Sequence, residues 1–368
     1  MFRDDRSNPA FQRRFQALHE IAAEAHARLP RNIWDYMRGA TETETTAKRN
    51  RLALDTLALR PRILRDVQDI NLSSTFLGVE LELPLTFAPI GSLESFDPEG
   101  GAAAARAAGR HGMMTTLSSV SAPGLEATAA AAEGPKIFQL YVRGDTAWVD
   151  DHVHRAIAAG YTAFCLTVDV AVYSRRERDI VNRFIKPWRR DAEGKDFQAA
   201  LNWKDVERFK ATHDIPLLIK GIMTAEDAAM ACDLGVDGVW VSNHGGRQLD
   251  QAQGAMAVLP EIVDVVAGRA AIVVDGGFLR GTDVIKAIAL GADLVALGRL
   301  TAMGLGAGGE EGLVRAMDLL AEEMQIAMGL LGQTQLADLS PDDVTAAPAV
   351  DAPDVLSAFP HLDAKLRR

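Results

Sequence analysis

The residues best suited to chemistry fall in one short stretch, Ser242-Asn243-His244-Gly245-Gly246-Arg247, directly after the apolar run Gly238-Val239-Trp240-Val241. A histidine accepts and returns a proton near neutral pH. An arginine offers a planar fork matched to a carboxylate or phosphate, and two glycines let the backbone turn tightly and approach a ligand closely. A base and an anion clamp three residues apart point to proton abstraction from an anionic substrate. Either residue alone is as readily a core histidine or a surface arginine, so the elements that carry them have to decide.

The preceding run reads as a buried strand, because β-branched and aromatic residues suit a pleat covered on both faces. Seven further runs resemble it, and the eight span residues 83–90, 113–118, 136–142, 163–168, 216–220, 238–241, 271–274 and 294–297. Alanine-rich or amphipathic stretches such as 100–112, 148–159, 225–234 and 282–290 lie between them. Eight alternating units favour a closed parallel TIM (β/α)8 barrel over an open sheet, which would carry a glycine fingerprint after its first strand. Polar or special residues end each run: Pro89-Ile90-Gly91, Ser118, Gln139 with Tyr141, Thr167 with Asp169, Lys220, Ser242 to Arg247, Asp275-Gly276-Gly277 and Gly298-Arg299. In such a barrel these ends share one mouth, and the mouth is where the active site sits.

The rest of the chain frames this core. Residues 1–80 read as an N-terminal helical extension and connector, 81–332 as the barrel, and 333–368 as a peripheral tail, all within a single α/β domain. Residues 11–37 have an apolar helical stripe, whereas 52–72, with Pro61, read as a mixed connector and a poor candidate for a regular element of the barrel. The charged insertion 173–203 exceeds an ordinary βα connection and reads as an active-site loop or a disordered segment. The glycine-rich run after Leu300 lacks phosphate-loop spacing and reads as a helix cap.

With 368 residues, 48% hydrophobic, the chain can bury a large core, and a net charge of -11 without a basic stripe excludes general attraction to nucleic acid. Cys165 and Cys232 lack metal-ligand spacing and read as reduced thiols. No apolar run reaches membrane length, and charges interrupt the first residues where a secretory signal needs an apolar core. These features predict a cytoplasmic enzyme that meets neither membrane nor nucleic acid and needs no metal.

The set SNHGGRQLD, LTVD, IFQLYV, LIKG, VDGG and GR, in their order along residues 29–339, resembles the FMN-dependent 2-hydroxy acid oxidases and dehydrogenases, the group of glycolate oxidase, lactate oxidase and mandelate dehydrogenase. The resemblance implies FMN at the barrel mouth, oxidation of an L-2-hydroxy acid to the 2-keto acid, reoxidation by oxygen or another acceptor, and assembly as a homotetramer or homo-octamer. It makes His244 the base, Asp169 the stabiliser of its imidazolium, and Tyr141 a donor to the substrate oxygen. Arg247, Arg176 and Tyr36 would hold the substrate carboxylate. For the flavin it implies Lys220 at the N1 edge and Ser118, Gln139, Thr167 and Ser242 as polar partners, with Pro89, Ile90 and Gly91 beside the ring. Asp275, Gly276, Gly277, Arg280, Gly298 and Arg299 would surround the ribityl chain and phosphate.

Four positions depart from the pattern. Leu279 replaces an arginine that normally contacts phosphate, which shifts the load to Arg299. Val120 stands where glycolate oxidase has tryptophan, and Tyr173 where it has leucine, which suggests a larger substrate, aryl or branched. Gly91, alanine in several relatives, leaves room near the flavin. A flavin-dependent isomerase or synthase on the same barrel, and a barrel that binds FMN without turnover, are the competing readings; the His244, Asp169, Tyr141, Arg176 and Arg247 set argues against both.

Overall fold

A computed structural model describes residues 5–189 and 193–363. Eight parallel strands close into a barrel: β1 (Leu85–Phe87), β2 (Met114–Ser118), β3 (Lys136–Leu140), β4 (Ala163–Thr167), β5 (Leu217–Ile222), β6 (Gly238–Val241), β7 (Ala271–Asp275) and β8 (Leu294–Leu297). Each pairs with its sequence neighbours, and β8 returns to β1 through Val295 opposite Leu85. Every predicted strand run overlaps one of them.

Side chains alternate along the strands with period two. Cys165, Leu218, Trp240, Val273 and Ala296 fill the barrel interior, while Phe164, Ile219, Val239, Val241 and Val274 pack outward against the helices. Both faces are therefore apolar, which is why the runs look continuous in sequence. A hairpin, Ser74–Phe76 with Val79–Leu81, adds Phe76 and Leu81 to the interior cluster. Truncating Trp240, fully buried, to alanine would cost about 3–5 kcal/mol by leaving a void.

The N-terminal extension forms four helices: α1 (Pro9–Arg14), α2 (Leu18–Arg28), α3 (Arg31–Arg38) and α4 (Thr45–Asp55). The stripe Leu18, Ile21, Ala22 and Ala25 is buried as α2 packs on the long final helix, Arg299–Leu331. That helix is broken at Gly308 and Gly309, so the glycine-rich run is a joint between two helical segments and not a phosphate loop.

The connector 52–72 gives the barrel no strand, as expected; it holds the end of α4 and the strand Leu57–Leu59, which pairs antiparallel with Val344–Ala346 outside the barrel. One expectation needs correction. The tail is not peripheral: Val355, Leu356, Phe359 and Leu362 are buried, and Asp354 forms an ion pair with Arg38 at the end of α3. Of the two readings of the insertion, an active-site loop or a disordered segment, its described residues fit the first, with Tyr173, Arg176, Lys186 and Trp188 lining the cavity. It forms a lid from the helix Glu177–Val181 and a turn at Pro187–Arg189, followed by the helices Lys195–Ala200 and Trp203–Thr212. Asn182 donates to Asp35 and Arg178 to Glu44, fastening the lid to the N-terminal extension.

Candidate active site

The strand ends open into one large cavity, roofed by α3 and the lid. His244 stands at its centre with an unusual backbone. Its φ is +60°, and Gly245 and Gly246 follow at +65° and +76°. Left-handed backbone is uncommon for a residue with a side chain. At Gly246 a Cβ would come within 2.4 Å of the Ala47 backbone, so only glycine fits there. Ser242 Oγ accepts from the His244 N–H and Asn243 Oδ1 from the Gly246 N–H, fixing the turn.

The imidazole has a partner on each side. Its Nδ1 lies 2.9 Å from Asp169 Oδ1 and its Nε2 3.4 Å from the Tyr141 hydroxyl. Burial lowers the His244 pKa below the ordinary histidine value, with Lys220 acting in the same sense and Asp169 opposing. The expected gain in basicity from the carboxylate is thus outweighed. The ring is neutral at neutral pH, the form that can accept a proton. For Asp169 burial works against the charge, but His244 and Lys220 prevail and hold its pKa below the usual carboxylate range. Burial, aided by Asp169, pushes the Tyr141 phenol far up, so it stays a donor.

Anion-binding groups surround this centre. Arg247 Nη1 donates to the carbonyls of Tyr36 and Gly39 at the end of α3, at 2.8 and 2.6 Å. Arg176 donates to the Arg247 carbonyl and to Gln248. Neither arginine has a carboxylate partner among the described residues, and both line the cavity. Burial and the adjacent Arg176 lower the Arg247 pKa, the signature of cations awaiting an anion. Tyr36 also lines the cavity, its pKa raised to about 12 chiefly by burial, with its hydroxyl donated to the Gly91 carbonyl.

On the opposite side, Lys220 Nζ donates to Ser242 Oγ at 2.8 Å and lies 3.4 Å from Asp275. Burial works against its charge, but Asp275 and Asp169 outweigh it and raise its pKa above the ordinary lysine value. Asp275 also accepts from Trp240 Nε1 and Ser242. Its carboxylate is therefore engaged mainly in fixing Lys220 and Ser242, and the Ser242 hydroxyl is fully occupied by the same network.

Several buried polar atoms have no partner among the described residues: both amide atoms of Gln139, the hydroxyl of Thr167, and Asp169 Oδ2. A buried polar group without a partner is costly, and Gln139 and Thr167 sit at adjacent strand ends. They suit the polar edge of a flavin ring. Ser118 is buried beside them, its Oγ accepting weakly from the Val120 N–H.

Pro89, Ile90 and Gly91 line the cavity after β1, and Gly276, Gly277 and Gly298 line it after β7 and β8. Arg299 donates to the carbonyls of Gly39 and Gly245, and burial followed by repulsion from Arg247 lowers its pKa. A dianion here would relieve both. Arg280 does not belong to this group. It stands at the start of the helix Gly281–Ala289, turned outward to Glu323 at 2.6 Å, so it does not reach the cavity. Leu279 does line the cavity, as an apolar wall.

Arg51, Arg143, Lys186 and Trp188, which no sequence motif marked, also line it. Arg51 is fixed by a paired contact with Asp283 and donates to the Gly277 carbonyl. Trp188 qualifies the reading of Val120. A Cβ placed on Gly91 would lie 2.9 Å from Val120 and 3.3 Å from the Trp188 indole. An indole therefore borders this corner, carried by the lid instead of the strand end.

A TIM barrel with a neutral histidine, paired arginines and an unsatisfied polar shelf at its mouth is built to oxidise an anion beside a flat cofactor. The chain belongs to the FMN-dependent dehydrogenase family, whose profile it matches over residues 25–346, and FMN is its cofactor. It is 39% identical to glycolate oxidase 1 of Oryza sativa subsp. indica over 365 residues, covering 93% of this chain and 98% of that protein. Glycolate oxidase of Spinacia oleracea is 37% identical, over 89% and 95% of the two chains. Among solved structures, mandelate oxidase with benzoyl-formic acid superposes with a TM-score of 0.85 at 39% identity, covering 92% of this chain and all of that one. A mutant of the active chimera of (S)-mandelate dehydrogenase gives the same TM-score, 0.85, at 34% identity, over 90% and 99% of the chains.

Proposed function

We propose that the enzyme oxidises an L-2-hydroxy acid to the 2-keto acid, with His244 as the base and oxygen or another acceptor restoring the flavin. The observation that carries this reading is His244, held between Asp169 and Tyr141 in the cavity that Arg176 and Arg247 line.

FMN, when bound, accepts the two electrons removed from the substrate. The protein does the rest. Arg176 and Arg247 hold the carboxylate, and Tyr36 adds a donor once its hydroxyl leaves the Gly91 carbonyl. Tyr141, its proton secure, donates to the substrate oxygen. His244 Nε2 takes a proton as the 2-carbon is oxidised, and Asp169 beside Nδ1 stabilises the imidazolium that results. Lys220, Gln139 and Thr167 would hold the polar edge of the flavin ring, where the ammonium would favour added negative charge. Arg299 and the N–H groups near Gly276 and Gly277 would hold the phosphate. Val120 and Tyr173 would border the substrate side chain and favour one larger than glycolate, with the Trp188 indole limiting the space beside Val120.

The exposed apolar side chains Ile63, Leu64, Ile326 and Leu330 favour burial against another copy, in keeping with assembly as a homotetramer or homo-octamer. No helix among the described residues is long and apolar enough to cross a membrane. The acidic balance and two unpaired thiols favour the cytoplasm.

The direct test is anaerobic mixing of the flavoprotein with 2-hydroxy acids of both configurations, following flavin absorbance and then admitting air. Bleaching by an L-acid is expected, and the rate of recovery in air separates an oxidase from a dehydrogenase. No bleaching by any acid would overturn the reading.

A further inference from the structure

The lid brings to the cavity two polar side chains that proton transfer at His244 leaves unused. Lys186, buried, donates to Asp179 and to the Tyr173 hydroxyl. Its Nζ lies between two aromatic faces, 5.0 Å from the Tyr36 ring centre and 5.2 Å from that of Tyr173. An ammonium has three donors, and two are accounted for. The Tyr173 hydroxyl accepts from Lys186, which leaves its own proton for another acceptor. Lys186 and Tyr173 both line the cavity.

The charge around them is unbalanced. Arg143, Arg176, Lys186, Arg189 and Arg247 border the cavity, whereas the one carboxylate among its described lining residues, Asp275, is engaged with Lys220. Asp179 answers Lys186 from outside the lining. One substrate carboxylate, shared by Arg176 and Arg247, leaves Arg143 and Arg189 without a carboxylate among the described residues and Lys186 with Asp179 alone.

Resting on the reading of the cavity as a 2-hydroxy acid site, we infer that Lys186 and Tyr173 form a second polar subsite, which binds an acidic group on the substrate side chain. The preferred substrates are 2-hydroxy acids with a second carboxylate, on an aliphatic or aryl side chain. A lysine serving only to fasten the lid through Asp179 would need no cavity-lining phenol as a second partner.

The test compares matched acids: 2-hydroxyglutarate with 2-hydroxy-5-methylhexanoate, and 4-carboxymandelate with 4-methylmandelate. Flavin reduction is followed anaerobically, and binding of the corresponding 2-oxo acids is followed by calorimetry. The charged member of each pair is expected to have kcat/KM about tenfold or more above the neutral one, mainly through KM. Lys186→Met should remove that preference while changing the neutral acids less than about threefold. Tyr173→Phe, which leaves the lid ion pair intact, should remove part of it. Preference for the neutral members, or an equal loss on all acids in both variants, overturns the subsite. Failure of every acid to reduce the flavin overturns the reaction, while the calorimetric preference among the 2-oxo acids still decides the subsite.

Discussion

The rim of the barrel and the lid above it hold their side chains by different means. At the rim, His244, Lys220, Gln139 and Asp275 stand within a few residues of strand ends, and strand pairing sets their spacing. In the lid, Lys186 and Trp188 keep their places through contacts with the N-terminal extension: Asn182 to Asp35, Arg178 to Glu44, and Phe184 against Tyr36 with ring centres 5.4 Å apart. The rim positions groups for chemistry by closed geometry, while the lid selects what enters by docking one surface segment on another. Changes at the rim should therefore strike the rate of flavin reduction, and changes in the lid should strike substrate choice and KM.

The sharpest break would come at His244. His244→Gln should slow flavin reduction on the order of 10^2- to 10^4-fold with FMN retained, as rapid-mixing kinetics would measure. Arg299→Met removes a buried charge-assisted contact, worth about 1.5–3 kcal/mol and thus roughly 10- to 150-fold in FMN affinity, readable by titrating the apoprotein. Val120→Trp crowds the corner that Trp188 and Gly91 share. It should lower kcat/KM for bulky acids about tenfold relative to glycolate. Asn182→Ala loosens one lid contact of about 1 kcal/mol, and a rise in KM of a few-fold with unchanged maximal reduction is expected.

The pH profile sharpens the same division. Because burial lowers the His244 pKa, kcat/KM should hold through neutrality and fall only on the acid side of the ordinary histidine range, as the imidazole protonates and ceases to be a base. Asp169 is the influence that raises that pKa. Asp169→Asn should therefore move the acid limb to still lower pH while reducing the rate. A limb that moved upward would show that another group governs it.

Strands were legible because both faces of each are buried, so eight apolar runs mark eight barrel staves. Rim residues were legible because a strand end is a local feature. The lid was not, since Lys186 and Trp188 gain their positions from partners in α3 and the loop after it, far away in sequence. Arg280 misled for the opposite reason. Its motif neighbours turn inward, but its own place at a helix start points it to Glu323. The tail, rich in proline, alanine and aspartate, hid the buried Val355, Leu356, Phe359 and Leu362. His244 was found from its neighbours, but its lowered pKa was not, because burial outweighs the carboxylate and burial is a property of the closed mouth.

Val355 lines the cavity, and Asp354 beside it holds Arg38. Both follow the barrel in the order of synthesis, so a nascent chain with all eight strands formed still has an unfinished cofactor cleft. A chain cut before residue 354 would lose this part of the cavity wall together with the Arg38–Asp354 ion pair, although all eight strands precede the cut.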